Sequence, residues 1–208
     1  MDISLKDICN NNTLNNPTNE VYKSFNDFIF SNDIKVIGKL LKRFEFFLKV
    51  KDLPGDIVEL GVYKGSGVST FSKFLQLYCP NSIKRVIGFD LSLTFDGVNK
   101  NLSNIKQNFY ELIKGDICIT TEEYSKNNPG FRISLLYIDV DLDEPTYFGL
   151  TNLWKHIIPG GIILFDEYQY HKFDESNGVD RFLRDNNLNY ELLSTNFLAP
   201  DCYMIKKN

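Results

Sequence analysis

Several things are missing from this chain, and each absence excludes a class of protein. No apolar run approaches the roughly 20 residues that span a bilayer. The first twenty residues, MDISLKDICNNNTLNNPTNE, are polar and hold no apolar core of a secretory signal. Cysteine is scarce and scattered: Cys9, Cys79, Cys118 and Cys202 make no C-x-x-C pair, which speaks against a disulfide framework or a zinc site. Three of the four are expected in or near strands as small apolar residues. The only histidines are His156 and His171, too few for a zinc enzyme or a Cys/His nucleophile pair. There is no excess of basic charge, since 23 Lys and Arg stand against 27 Asp and Glu. A general nucleic-acid binder needs a basic footprint, so no nucleic-acid and no membrane partner is expected. The strings G-x-G-x-x-G, G-x-x-x-x-G-K-[ST] and G-x-S-x-G are also missing. A cytoplasmic protein is expected.

What is present is a strand–helix alternation. The 208 residues suit one generous domain. Residues 1–19 are Asn-rich and read as a polar arm. Residues 20–50 carry apolar residues at helical spacing and divide into two helices near Ser31-Asn32-Asp33, where Ser31 or Asp33 caps the second. Their Phe-rich face is read either as cover for the core or as a lid or oligomer surface. From residue 51 onward the pattern predicts strands at 56–62, 85–92, 110–117, 133–141 and 160–168. Helices are predicted at 66–78, 144–157 and 179–187, and two late strands at 190–195 and 202–207. Strands alternating with helices argue an α/β sandwich on a parallel sheet. The last two strands are joined by only TNFLAPD, too short for a parallel crossover, so they form an antiparallel hairpin.

Four constellations carry chemistry. The first is Glu59-Leu60-Gly61-Val62-Tyr63-Lys64-Gly65-Ser66-Gly67, a Gly-rich turn between strand one and its helix. Such a turn lets the backbone approach a ligand, though glycine turns without ligands are common in α/β folds. The second is Asp90, closing VIGFD, where nucleoside-binding sheets hold a ribose. The third is Lys114-Gly115-Asp116, a strand terminus with an acid. The fourth is the acid pair Asp139 and Asp141 after strand four, with Asp166 and Glu167 after strand five. If these strands are neighbours, their carboxyl ends gather four acids on the ligand-binding edge. Close carboxylates shift one another's pKa unless a cation neutralises them, and hard oxygen donors suit Mg²⁺, Ca²⁺ or Mn²⁺.

These residues resemble a known family. E-L-G-V-Y-K-G-S-G is similar to motif I of class I S-adenosylmethionine-dependent methyltransferases. The string from Asp139-Val140-Asp141-Leu142-Asp143-Glu144-Pro145-Thr146 through Pro159-Gly160-Gly161 to Phe165-Asp166-Glu167-Tyr168 resembles the macrocin O-methyltransferases, sugar O-methyltransferases that use Mg²⁺. The resemblance covers about residues 55–185, with Gly178-Val179-Asp180-Arg181-Phe182 matching the helix after the metal loop. It implies a Rossmann-like, mostly parallel seven-stranded sheet with a C-terminal antiparallel hairpin, and a cofactor-binding catalytic domain at residues 51–208. It implies S-adenosyl-L-methionine on Glu59, Gly61, Tyr63, Gly65, Ser66, Asp90, Asp116 and Asp139. It implies Mg²⁺ or Mn²⁺ on Asp139, Asp141, Asp166 and Glu167, with Asp141 or Asp139 as base. The substrate implied is a small molecule, sugar nucleotide or glycan. The chain departs from the family at Glu167, where Asp is usual, and at Phe95-Asp96-Gly97, which comes late after Asp90.

The expected reaction is methyl transfer to a hydroxyl of a sugar or glycosylated small molecule, by a homo-oligomer built partly on residues 20–50. Two other readings stand beside it. One is an NAD(P)-dependent oxidoreductase or epimerase, disfavoured by the missing fingerprint and the hairpin. The other is a non-catalytic nucleotide-binding protein that retains the fold.

Overall fold

The computed structural model describes residues 19–91, 101, 102, 105 and 107–207. The polar arm to residue 18 and the segment Phe95-Asp96-Gly97 lie outside them. The chain forms two compact units, Met1–Ile37 and Gly38–Asn208.

In the first unit, α1 is Asn19–Ile29 and α2, Ile34–Val50, begins. The break falls where the sequence places it. Asp33 Oδ1 accepts the Val36 N–H at 3.1 Å, so an acid satisfies one of the helix's orphan donors. Val21, Tyr22, Phe25, Ile29 and Phe30 of this unit are exposed.

The second unit holds the rest of α2, then β1 (Asp56–Leu60), α3 (Ser66–Tyr78), β2 (Val86–Asp90), β3 (Tyr110–Lys114), α4 (Ile117–Asn127), β4 (Ile133–Ile138), α5 (Asp143–Leu153), β5 (Ile157–Phe165), α6 (Glu175–Asp185), β6 (Leu193–Ser194) and β7 (Cys202–Ile205). The seven strands form one sheet in the order β3-β2-β1-β4-β5-β7-β6. The first five pair in parallel, and β7 is antiparallel to both β5 and β6. The hairpin inferred from loop length is therefore present.

Alternation along the strands divides the core. Val58, Leu60, Ile87, Phe89, Leu136, Ile138, Ile163 and Phe165 face α4, α5 and α6, packing with Leu150, Leu153, Val179 and Phe182. Ile57, Val86, Leu135, Tyr137, Ile162 and Leu164 face Phe46, Phe47 and Val50 of α2 and Val68, Phe71 and Leu75 of α3. Each fully buried side chain of this size contributes about 1.5–3 kcal/mol. Phe46, Phe47 and Val50 are at most 1% exposed, so the C-terminal end of α2 is anchored on the sheet.

Some expectations need correction. Helix α4 was not predicted: ICITTEEYSKN has little apolar periodicity, and the helix is started by Asp116, whose Oδ1 accepts the Cys118 N–H at 2.9 Å. Strands β1, β2, β3, β4, β6 and β7 are shorter than their predicted spans, because the residues beyond them turn away, as at Gly61 and Gly115, or leave the ladder, and β5, Ile157–Phe165, begins three residues before its predicted span. Helix α6 starts at Glu175, four residues before the predicted helix, and α5 ends at Leu153. Among the described cysteines only Cys202 lies in a strand; Cys79 ends α3 and Cys118 opens α4, all three are free thiols, and Cys9 lies outside the described residues. No described helix is long and apolar enough to cross a membrane.

Candidate active site

Sheet register brings the candidate residues together. Leu60 pairs with Phe89 on one side and Ile138 on the other, and Ile138 pairs with Phe165. The next residue on each strand is therefore Gly61, Asp90, Asp139 or Asp166, one row along the carboxyl edge of the sheet. Backbone bonds extend the ladder into this row: Gly61 N–H to Phe89 O, Asp139 N–H to Leu60 O and Asp166 N–H to Ile138 O, each 2.9 Å.

Two cavities open above the row. One, about 340 Å³, lies over Gly61, Tyr63, Asp90, Asp116, Val140 and Glu144. The other, about 320 Å³, lies over Lys39, Arg43, Glu59, Ser66, Asp139 and Asp141. Gly61, Tyr63 and Asp139 line both. The second reaches the N-terminus of α3, where Gly65 takes φ +86° and no side chain caps the helix. Free N–H groups there suit an anionic or electron-rich group.

The turn is held open by its own backbone. Gly61 has φ +89°, and a Cβ there would lie 1.8 Å from the Asp139 carbonyl oxygen. Its role is thus to let β1 and β4 end side by side, rather than only to clear space for a ligand. Asp90 Oδ2 accepts the Tyr63 N–H at 2.6 Å, which ties the acid to the turn and orients it on the first cavity. Asp116 caps α4 and lines the same cavity. Glu59 is 1% exposed, its Oε1 lying where a Cβ on Gly67 would sit, and its Oε2 has no hydrogen-bond partner. Burial pushes its carboxyl up to about 8, against the pull of Arg43. Abutting cavities, a bare-glycine turn and an orphaned buried carboxyl oxygen fit an elongated ligand with a nucleoside at one end and a polar group at the other.

The acid side is arranged differently from expectation. Lys39 of α2 places its Nζ 2.9 Å from Asp139 Oδ2 and 2.7 Å from Asp166 Oδ2. Tyr137 donates its hydroxyl to Asp166 Oδ1. Arg43 Nη2 stands 3.8 Å from Asp139 Oδ2, while Nη1 donates to Ser66 Oγ at 3.4 Å. Burial and the neighbouring Asp166 raise the Asp139 carboxyl, and Lys39 and Arg43 oppose the rise. Glu167 is pushed up to about 7 by burial and by Asp141 beside it. Its N–H donates to Glu175 Oε1 at 3.2 Å, a fully buried acid that burial holds well above its ordinary value. Asp141 takes φ +63°, a conformation that Asp tolerates better than most residues.

The four acids do share one edge, but a lysine ammonium already lies between two of them. Among the described residues no group of three or more His, Cys, Asp and Glu is placed to hold a metal ion. A divalent ion on the oxygens of Asp139 and Asp166 would meet that ammonium, so this arrangement does not fit one. Lys39, Arg43 and Tyr137 were not singled out in the sequence. The signal was there for Arg43, which falls three, four and seven residues before Phe46, Phe47 and Val50, a charge on the buried stripe of its helix. His156 is buried, with Nδ1 3.0 Å from Phe131 O and Nε2 2.8 Å from Ser125 Oγ, so it ties α4 to the sheet rather than serving a helix end. His171 lies on an exposed turn and lines neither cavity.

A sheet of this order, with its antiparallel β7 and its Gly-rich turn after β1, is the class I methyltransferase fold. Residues 58–168 match a family model described as a methyltransferase domain. That is over half of the chain, and the chain belongs to this family: it is an S-adenosylmethionine-dependent methyltransferase. No curated protein matches the sequence. Among solved structures, CalS11, a TDP-rhamnose 3'-O-methyltransferase of calicheamicin biosynthesis, superposes with a TM-score of 0.73 at 24% identity. The match covers 94% of this chain and 89% of that one. The O-methyltransferase NovP gives 0.66 at 19% identity over 84% and 81%. MycE, a methyltransferase of the mycinamycin pathway in complex with Mg, SAH and mycinamycin VI, gives 0.55 at 14% identity over 81% of this chain and 49% of that one.

Proposed function

We propose that this methyltransferase acts on a hydroxyl of a sugar or glycosylated small molecule. The observation that carries the reading is the row Gly61, Asp90, Asp139, Asp166. It aligns a nucleoside-sized cavity with an acid-lined one on a single sheet edge. The likeness in fold to CalS11 and NovP supports a sugar hydroxyl as acceptor. S-adenosylmethionine supplies the electrophilic methyl group. Its nucleoside end belongs in the cavity of Asp90 and Asp116, and its amino-acid end against Glu59, Ser66 and the start of α3.

Within this reading Asp141 is the base. Asp139 is committed to Lys39, which takes its Oδ2 at 2.9 Å, with Arg43 3.8 Å from the same oxygen, so that oxygen is not open to a substrate hydroxyl. Asp141 lines the acid cavity with no cationic partner among the described residues and lies beside Glu167. It takes the hydroxyl proton as the oxygen attacks the methyl; the O–C bond forms, the C–S bond breaks, and S-adenosylhomocysteine leaves. Proton transfer of this kind is worth about two to four orders of magnitude, and holding the reactants in line supplies more. A third cavity of about 380 Å³ adjoins the end of β5, lined by Gln169, Tyr170, Asn196 and Phe197. Aromatic faces and amides suit a sugar ring, and we place the acceptor there.

The metal-dependent form of the reaction, implied by the resemblance and by the Mg in MycE, requires Lys39 to leave Asp139 and Asp166. The exposed apolar residues of α1 suit a homo-oligomer formed with a second copy of this chain, to be tested by sedimentation velocity. Free thiols at Cys79, Cys118 and Cys202 suit a cytoplasmic setting. The decisive experiment pairs calorimetric titration of S-adenosylhomocysteine with a methyl-transfer assay on TDP-rhamnose and related sugar nucleotides. Binding with transfer to a sugar oxygen supports the reading; NADH binding in place of S-adenosylhomocysteine overturns it.

A further inference from the structure

We propose that Lys39 is the resident cation of this site, standing where a divalent ion would otherwise neutralise Asp139 and Asp166, and that the chain transfers methyl without bound metal. The proposal rests on the methyl-transfer reading for its chemistry and on separate geometry for its claim about the ion.

Asp166 is 1% exposed, and both of its oxygens are engaged, one by the Tyr137 hydroxyl and one by the Lys39 ammonium. The same ammonium reaches Asp139 at 2.9 Å, so a single positive charge bridges two carboxylates whose strands are hydrogen-bonded neighbours. Arg43, one helical turn on, adds a second positive charge 3.8 Å from Asp139 Oδ2 and is itself held by Ser66 and the Tyr137 ring. A magnesium ion demands about six oxygens near 2.0–2.1 Å, and here two of the four candidate acids are already closed around a nitrogen.

The position of Lys39 is built into the fold. Phe46, Phe47 and Val50 anchor the end of α2 on the sheet. At Gly38 a Cβ would meet the Phe197 ring at 1.9 Å, so the helix is close against the 196–198 loop at the residue before the lysine. Lys39 lines the acid cavity, and an ammonium has three donors of which the two acids take two. The third is available to the acceptor oxygen, whose developing negative charge it would stabilise in the role a metal plays elsewhere.

The test is manganese(II) binding to the full chain, followed by electron paramagnetic resonance on wild type, Lys39→Met and Lys39→Arg. Methyl transfer is measured in EDTA and in manganese. Wild type and Lys39→Arg are expected to leave the ion free, while Lys39→Met binds it at least about tenfold more tightly. Wild-type turnover should be insensitive to EDTA. Lys39→Met should lose about a hundredfold in EDTA and regain part of it with manganese, with S-adenosylhomocysteine affinity within a few-fold throughout. Tight manganese binding by wild type that is lost in Asp166→Asn, or wild-type turnover abolished by EDTA, overturns the proposal. If Lys39→Met does not fold, those two wild-type measurements decide. Failure to bind S-adenosylhomocysteine or transfer methyl would sink the reaction assigned above and leave the manganese titration standing.

Discussion

The two ends of the site are built from different materials. At the end proposed for the nucleoside, position is set by backbone: a positive-φ glycine whose missing Cβ lets β1 and β4 end together, and an acid tied to the turn through a main-chain N–H. At the acid end, position is set by charge: carboxylates at the ends of two parallel strands held by an ammonium from α2 and a phenol from β4 itself. The backbone end tolerates no change of shape, and the charged end tolerates no change of balance.

The sharpest way to break the contrast is at Gly61. Gly61→Ala pushes a methyl into the Asp139 carbonyl and forces an alanine to positive φ. The loss of stability should exceed about 3 kcal/mol by urea unfolding, or the variant should not fold. A stable variant with unaltered cavities would show that the turn's glycine is dispensable. Next comes Asp141→Asn, which changes charge with little change of shape. Turnover should fall by at least two orders of magnitude, about 2.7 kcal/mol of barrier, with S-adenosylhomocysteine affinity within a few-fold. Equal loss of binding and turnover would move Asp141 out of the role of base. Asp90→Ala should do the reverse and weaken S-adenosylhomocysteine at least tenfold by calorimetry, about 1.4 kcal/mol. Unchanged affinity in the folded variant removes Asp90 from the nucleoside site.

The last comparison is a pH dependence of stability. Glu59 and Glu167 titrate near 8 and 7 in the folded chain, against about 4.5 when unfolded. Between those values the folded state binds more protons, so stability falls as pH rises from about 4.5 to about 8 and this contribution is flat outside that window. Glu59→Gln should flatten the upper part of the fall. Stability that climbs across this window, measured by urea unfolding at several pH values, contradicts the assignment.

The same contrast explains what the sequence reveals. The fold is legible because its signals are local: apolar strands between helices, and a seven-residue connection too short for a parallel crossover. Gly61, Asp90, Asp139 and Asp166 are legible because each directly follows an apolar run, and register makes them neighbours. Helix α4 escapes notice because ICITTEEYSKN lacks a clear apolar stripe, and its cap, Asp116, reads equally well as a strand-end acid. Lys39 escapes because a lysine on an amphipathic helix ordinarily faces water. The acid cluster itself announces only that a positive charge is needed, and nothing local says whether that charge is a metal or a side chain.

The Lys39 bridge also bears on how the chain folds. Its two bonds join residues 100 and 127 positions apart, among the longest connections in the molecule. A partly formed chain in which β4 and β5 have paired before α2 settles would set Asp139 and Asp166 side by side with their mutual repulsion unrelieved. The sheet edge and the helix ahead of it therefore stabilise each other, and the loop this bridge closes is a large one whose entropy the bridge must offset.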